Sequence, residues 1–207
     1  MRADPLPLGV LLAGGLARRM GGGDKPLRSL AGRPLLDHVI DRMRPQLAGL
    51  VINANGDPAR FAAWGLPVIP DTMADNPGPL AGVLAGMLWA RAHAAACPDI
   101  VSLPTDTPFL PEDLVGRLQA ARRNARADLA CVASGGRSHP VIGLWPVHLA
   151  DDLAGALAEG VRKIEDFTAR HRIAIADYDA ADLDPFTNVN RPEELAAVER
   201  RLRETPD

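Results

Sequence analysis

The chain has 207 residues, enough for one domain with a sizeable core, and 47% of them are apolar. Aromatic residues supply only 4%, so that core must be aliphatic and alanine-rich. A net charge of −3 excludes a general nucleic-acid binder, which would carry a basic face, but suits a nucleotide enzyme that needs only a few local cations.

The first apolar run, Leu8-Gly9-Val10-Leu11-Leu12, reads as a buried strand. It leads into Ala13-Gly14-Gly15-Leu16-Ala17-Arg18-Arg19-Met20-Gly21-Gly22-Gly23-Asp24-Lys25. Glycine lets backbone N–H groups converge without a Cβ in the way, and such a nest binds anions. Arginine adds a fork matching phosphate oxygens, and lysine a point charge. The simplest ligand for this loop is a polyphosphate; the plainer alternative is a glycine-rich surface loop with solvated charges. The loop is neither of the two commonest phosphate loops. Lys25 is flanked by Asp24 and Pro26 rather than by Gly and Ser or Thr, and G-x-G-x-x-G is not met.

Further along, Pro34 to Met43 reads as a helix with Pro34 at its first position and Leu35, Leu36, Val39, Ile40 and Met43 on one stripe. Leu50 to Ala54 is a short strand, Asp57-Pro58 opens a brief helix, and Pro67 to Ile69 is another strand. Pro77-Gly78-Pro79 starts a long helix running to Ala95. Asp99 to Leu103 is a strand stopped by Pro104-Thr105-Asp106-Thr107-Pro108, and Glu112 to Asn124 is an amphipathic helix. Asp128 to Ala133 and Pro140 to Trp145 are strands joined by a hairpin turn at Ser134-Gly135-Gly136-Arg137. Helices follow near His148 to Glu159 and Ile164 to Arg170, then a strand at Ile173 to Ala176 and a last helix at Pro192 to Arg203. The alternation predicts a single α/β domain over residues 1–207, its mostly parallel sheet covered on both faces and interrupted by one antiparallel hairpin.

Cys97 and Cys131 stand far apart with no C-x-x-C, so two reduced buried thiols are expected. Met1-Arg2-Ala3-Asp4-Pro5 lacks a signal-peptide pattern, and no apolar stretch of about 20 residues could span a membrane. The expected location is the cytoplasm, with no nucleic-acid or membrane partner.

In an open α/β sheet, ligands bind beyond the carboxyl ends of the strands. The glycine loop, Asn53, Asp71 and Asp106 all fall at or just after such ends. Asp106 is a Mg²⁺ ligand candidate, because that ion in phosphate chemistry takes one or two carboxylates plus the substrate's phosphates; its competing role is a turn cap. Lys25 and Arg19 are candidates for neutralising phosphate charge during transfer. Arg18 divides evenly between that task and a surface salt bridge. Asn53 and Asp71 read either as nucleotide contacts, a carboxylate accepting from the guanine N1–H and N2–H₂ edge or gripping ribose hydroxyls, or as ordinary turn formers, which chemistry alone favours.

Several motifs together resemble one family. They are the Leu12-to-Lys25 signature, Val51-Ile52-Asn53-Ala54-Asn55, Asp71 with Asn76-Pro77-Gly78-Pro79-Leu80-Ala81-Gly82, Asp106-Thr107-Pro108, His139-Pro140, and Asn188-Val189-Asn190-Arg191-Pro192-Glu193-Glu194-Leu195. In this order they resemble the molybdenum cofactor guanylyltransferases over nearly the whole chain. The resemblance implies a three-layer Rossmann-like nucleotidyltransferase fold. It also implies a Mg²⁺-dependent enzyme that transfers GMP from GTP to the terminal phosphate of molybdopterin, releasing pyrophosphate. Molybdoenzymes or their chaperones would be transient partners.

The implied catalytic residues are Lys25, Asp106 and Arg19, with Asp106 as metal ligand. The implied binding residues are Leu12, Ala13, Gly14, Gly15, Gly22, Lys25, Asn53, Asp71, Gly78, Asp106, Asn188 and Asn190. Arg162 and Lys163 read either as holders of a pterin phosphate or as a solvated helix face; His139 could face the pterin, but a lone histidine is more often structural. Two rival readings are a sibling cytidylyltransferase using CTP and a non-catalytic nucleotide or pterin carrier. Leu12-Ala13-Gly14-Gly15 favours guanine, and keeping both Lys25 and Asp106 argues against a carrier.

Overall fold

A computed structural model describes residues 4–14, 24–73, 78–179 and 184–189. Its centre is a seven-stranded sheet. In chain order the strands are β1 (Leu8–Leu12), β4 (Gly49–Asn53), β5 (Val68–Ile69), β6 (Asp99–Pro104), β7 (Leu129–Ser134), β8 (Arg137–Pro146) and β9 (Ile173–Tyr178). Two short strands, β2 (Ser29–Leu30) and β3 (Arg33–Pro34), form a separate ribbon. The spatial order of the main sheet is β5-β4-β1-β6-β8-β7-β9. Only β8 runs against its neighbours β6 and β7, while the other pairings are parallel.

The inner strands bury both faces, as a sheet covered by helices on each side must, whereas β9 at the edge buries only alternate residues. Residues on β1 alternate: Leu11 joins the core under α1 (Leu35–Met43) and α3 (Leu114–Ala125), whereas Val10 faces α2 (Pro79–His93). That second face is completed by α4 (Ala150–Ala158) and α5 (Ile164–Thr168), whose Leu153 and Phe167 are fully buried. The result is three layers, α/β/α, with an aliphatic core on either side of the sheet. Cys97 and Cys131 are both free and buried, and burial raises both thiols above their ordinary pKa.

Helix α2 lies against the centre of the sheet. A Cβ at Gly86 would run into the Val10 side chain, and one at Gly82 would stand 2.6 Å from Leu12 Cδ2. The two glycines are one turn apart, so a single stripe of α2 has no side chain and the helix settles directly onto β1.

Pro34 was expected inside the first helix. It instead closes the β2–β3 ribbon, with φ −54° and ψ 144°, and occupies the cap position before α1. The cause is the turn at Ala31-Gly32, where φ is +51° and +83°. That geometry suits a two-residue hairpin and folds the chain back before the helix can start. The other hairpin follows the sequence reading: Gly135 and Gly136 take φ +55° and +76° between β7 and β8. The expected helix at Pro192 to Arg203 lies outside the described residues.

Candidate active site

Between β1 and its neighbours the strand order reverses, with β4 on one side and β6 on the other. Such a reversal opens a crevice at the carboxyl ends of the strands. Register brings the ends level: Leu12 pairs with both Asn53 and Pro104, and Asn53 with Ile69. Asp71 and Asp106, just past two of these ends, therefore share an edge with the start of the glycine loop.

One cavity in this edge, about 380 Å³, is lined by Leu12, Gly14, Lys25, Asn53, Asn55, Asp71, Gly78 and Asp106 among others. It gathers most of the binding residues expected from sequence. Two described residues are exceptions: Asn188 lines a neighbouring cavity instead, and Ala13 is 1% exposed, its methyl turned into the core and its N–H donating to Asn53 O at 2.9 Å. Alternation along the chain decides this, since Leu12 already faces the cavity. Gly15, Arg19, Gly22 and Asn190 lie outside the described residues.

Asp71 is held from both sides. Asn53 Nδ2 donates to Oδ1 at 2.9 Å and Asn55 Nδ2 to Oδ2 at 2.8 Å, while the Asp71 N–H donates to Asn55 Oδ1 at 2.9 Å. Each carboxylate oxygen keeps acceptor capacity beyond the amide it receives, so the group presents a fixed pair of acceptors. Asn53 is 4% exposed and also donates to Ile69 O at 3.3 Å. Its amide thus orients Asp71 as well as lining the cavity. A Cβ at Gly82 would collide with Asn53 Oδ1. Gly82→Ala is accordingly expected to destabilise the fold by about 1–3 kcal/mol and to weaken nucleotide binding, read by thermal melting and by titration. An unaltered melting temperature and affinity would mean that α2 can move away at no cost.

Lys25 Nζ forms an ion pair with Asp106 Oδ2, and each side chain is only about one-sixth exposed or less, 14% and 16%. The loop carrying Asp106 is tied down by its backbone: Val189 N donates to Asp106 O at 2.8 Å. Beside it, Thr107 Oγ1 donates to Asn188 Oδ1 at 2.9 Å and Thr105 Oγ1 to Leu12 O at 3.2 Å. Asp106 therefore acts as more than a turn cap, because its carboxylate projects to the lysine and into the cavity. Among the described residues no group of three or more His, Cys, Asp or Glu converges as a protein-only metal cage. A single hard-oxygen carboxylate beside Lys25 fits Mg²⁺ held jointly with substrate phosphates.

A second cavity, about 540 Å³, adjoins the first and shares Pro79, Pro104, Asp106 and Val141 with it. Its own walls include Arg137, His139, Arg162, Lys163, Phe186 and Asn188. Because β8 runs antiparallel, its first residues rise at the same sheet edge as the end of β6. That brings Arg137 and His139 within one cavity with Asp106. Arg162 lines this space while its Nη1 donates to Leu157 O and Val161 O, both at 2.9 Å, so it is part of a built wall.

His139 lines this cavity, and its contacts are those of a structural histidine. Ser134 Oγ donates to Asp184 Oδ1 at 2.8 Å and lies 2.9 Å from His139 Nε2. The hydroxyl's one hydrogen goes to the carboxylate, so Nε2 is the donor to Ser134. Burial lowers the pKa of His139, the nearby Asp184 opposing this only in part. The imidazole is therefore neutral near pH 7, and packs against Phe186 at 5.2 Å between centroids. These contacts fasten the 184–189 segment, and Asn188 with it, over the second cavity. No periodicity or motif signals Ser134, Asp184 or Phe186, because each acts through a partner remote in sequence.

Comparison with known proteins agrees with this geometry. Residues 9–174 match the MobA-like NTP transferase domain. A molybdenum cofactor guanylyltransferase of Bradyrhizobium sp. (strain ORS 278) is 57% identical over 93% of this chain and 91% of its own length. One from Rhodopseudomonas palustris (strain BisB5) is 56% identical over 97% and 96%. The solved molybdopterin-guanine dinucleotide biosynthesis protein A of Archaeoglobus fulgidus shares the fold, with TM-score 0.75 at 22% identity over 96% of this chain and 100% of that one. A CMP:2-keto-3-deoxy-manno-octonic acid synthetase complexed with CTP has the same architecture, with TM-score 0.71 at 16% identity over 96% and 99%. Fold, site and relatives converge: the chain belongs to the MobA-like nucleotidyltransferases, together with the molybdenum cofactor guanylyltransferases it matches over almost its full length.

Proposed function

We propose that the protein transfers GMP from GTP to the terminal phosphate of molybdopterin, with Mg²⁺, to make the guanine dinucleotide form of the cofactor. The observation that carries this reading is the meeting of two cavities at the Lys25–Asp106 pair. The first cavity takes the nucleotide, its triphosphate directed to the glycine loop and Lys25. The second takes the acceptor, with Arg137 and Lys163 supplying positive charge for a phosphate.

An acceptor phosphate oxygen attacks the α-phosphorus, forming the new anhydride bond. The bond from that phosphorus to the β-bridging oxygen breaks, and its electron pair leaves with pyrophosphate. Two anions must approach each other, so the protein's task is mainly to position them and neutralise charge. Lys25 and the loop N–H groups do this at the phosphates; Asp106 would hold Mg²⁺. When bound, the ion supplies Lewis-acid stabilisation of charge on the phosphoryl oxygens.

Lys25→Ala is expected to weaken GTP binding and slow turnover, each by about tenfold or more, whereas Arg18→Ala changes both much less. Steady-state kinetics with a nucleotide titration decide it. Equally small effects would mean that backbone N–H groups alone hold the phosphates.

No helix among the described residues is long and apolar enough to cross a membrane. We place the reaction in the cytoplasm, with molybdoenzymes or their chaperones receiving the product. The test of the whole reading is pyrophosphate release from GTP, Mg²⁺ and molybdopterin, with the dinucleotide product identified by mass. Absence of both products with an authentic acceptor would overturn it.

A further inference from the structure

Arg60 lies outside both cavity linings, yet it touches a group from each end of the nucleotide cavity. Its Nη2 donates to Asn55 O at 2.6 Å, and its Nε stands 3.2 Å from Asp24 Oδ2. Asn55 is the residue whose amide grips Asp71. Asp24 immediately precedes Lys25. The sequence of contacts therefore runs from Lys25 through the backbone to Asp24, across Arg60 to Asn55, and on to Asp71.

Arg60 is built to hold this position. It sits on a 3₁₀ segment, Pro58–Trp64, whose start is capped by Asp57 accepting from Ala59 N at 2.9 Å. The next residue, Phe61, is fully buried in the core, and the guanidinium carbon lies 4.9 Å from its ring centroid. At the far end of the segment, Trp64 Nε1 donates to Asp37 Oδ1 at 2.6 Å. Gly56, at φ +85°, leaves space that a Cβ would take, since that atom would come within 3.2 Å of Arg60 Nη1. Arg60 Nε is itself buried and meets Asp24 as an ion pair without a straight N–H···O line. A surface arginine in a chance pairing has none of these supports.

We propose that Arg60 is a positioning residue that sets the distance between the base-reading end and the phosphate-holding end of the nucleotide site. It touches no substrate. Its effect falls on a ligand that must engage both ends at once, because only then does their separation matter. The inference rests on reading the cavity as a GTP site.

The test compares three ligands in the presence of Mg²⁺: GTP, guanosine and inorganic tripolyphosphate, each titrated calorimetrically into wild type, Arg60→Ala, Arg60→Lys and Asp24→Asn. Arg60→Ala is expected to weaken GTP by about tenfold while guanosine and tripolyphosphate each change by less than about twofold. Lysine keeps the charge toward Asp24 but lacks the fork that also reaches Asn55 O, so Arg60→Lys stays nearer to alanine than to wild type. Asp24→Asn reproduces the GTP-selective loss from the other side, and serves should the alanine variant fold poorly. An equal loss for all three ligands would assign Arg60 to stability alone and overturn the proposal, as would unchanged GTP affinity. Wild-type protein that takes up no GTP would overturn the reading of the cavity itself.

Discussion

Asp106→Asn should yield a folded protein whose pyrophosphate release is slower by at least about a hundredfold. The loop does not depend on the carboxylate for its shape. Val189 N donates to the backbone carbonyl of Asp106, and the neighbouring hydrogen bonds come from Thr105 and Thr107. What asparagine removes is the charge, which a Mg²⁺ ion would need from this position and which Lys25 meets in the free protein. The two losses have different signatures. Turnover collapses, whereas GTP affinity measured without metal holds or improves, because the Asp106 carboxylate no longer competes with the triphosphate for Lys25. Thermal melting controls for the fold. Wild-type turnover by a folded Asp106→Asn protein would remove Asp106 from the chemistry.

The second large effect is base choice. GTP should exceed both CTP and ATP in kcat/KM by about a hundredfold or more. Asp71 offers acceptors only, fixed in one plane by Asn53 and Asn55. The guanine N1–H and N2–H₂ edge presents two donors to such a pair. Adenine and cytosine each set an acceptor nitrogen beside one amino group, which would leave lone pairs facing a carboxylate. ATP is the stricter test, since adenine matches guanine in size and only hydrogen bonding can reject it. Initial rates of pyrophosphate release with each triphosphate, Mg²⁺ and molybdopterin give the answer. CTP as the better substrate would replace this reading with a cytidylyltransferase. Turnover with none of the three would favour the carrier.

The parts of the site legible in sequence were those written locally. The strand that leads into the glycine loop, the Pro104 stop before Asp106 and the Pro79 start of α2 each carry their signal in adjacent residues. So did the sheet's mostly parallel character and the Gly135-Gly136 turn. Other features depend on contacts that no local pattern encodes. Two-residue strands such as β2 and β3 show no alternation, so the ribbon that moved Pro34 out of α1 was invisible. The Lys25–Asp106 pair joins residues 81 apart in the chain, and Ser134 meets Asp184 across 50. The packing of His139 on Phe186 likewise joins residues far apart in the chain. The placement of β8 between β6 and β7 also follows from tertiary pairing, and it is what puts the hairpin beside Asp106.

The shared wall of the two cavities has a consequence for how such proteins can change. The cavity proposed for the nucleotide is drawn mainly from the first half of the chain, ending near Pro79, and the one proposed for the acceptor mainly from residues 137–142, 162–165 and 186–188. Among the described residues only Pro79, Pro104, Asp106 and Val141 line both. A mutation in the hairpin or the α5 entry can thus reshape the acceptor's seat while every contact to the triphosphate stays as it was. The molecule is in this sense two inheritable halves hinged on one aspartate. New acceptors can be explored by evolution, or by grafting the Arg137–Ile142 and 162–165 segments between relatives, without rebuilding the apparatus that activates the nucleotide.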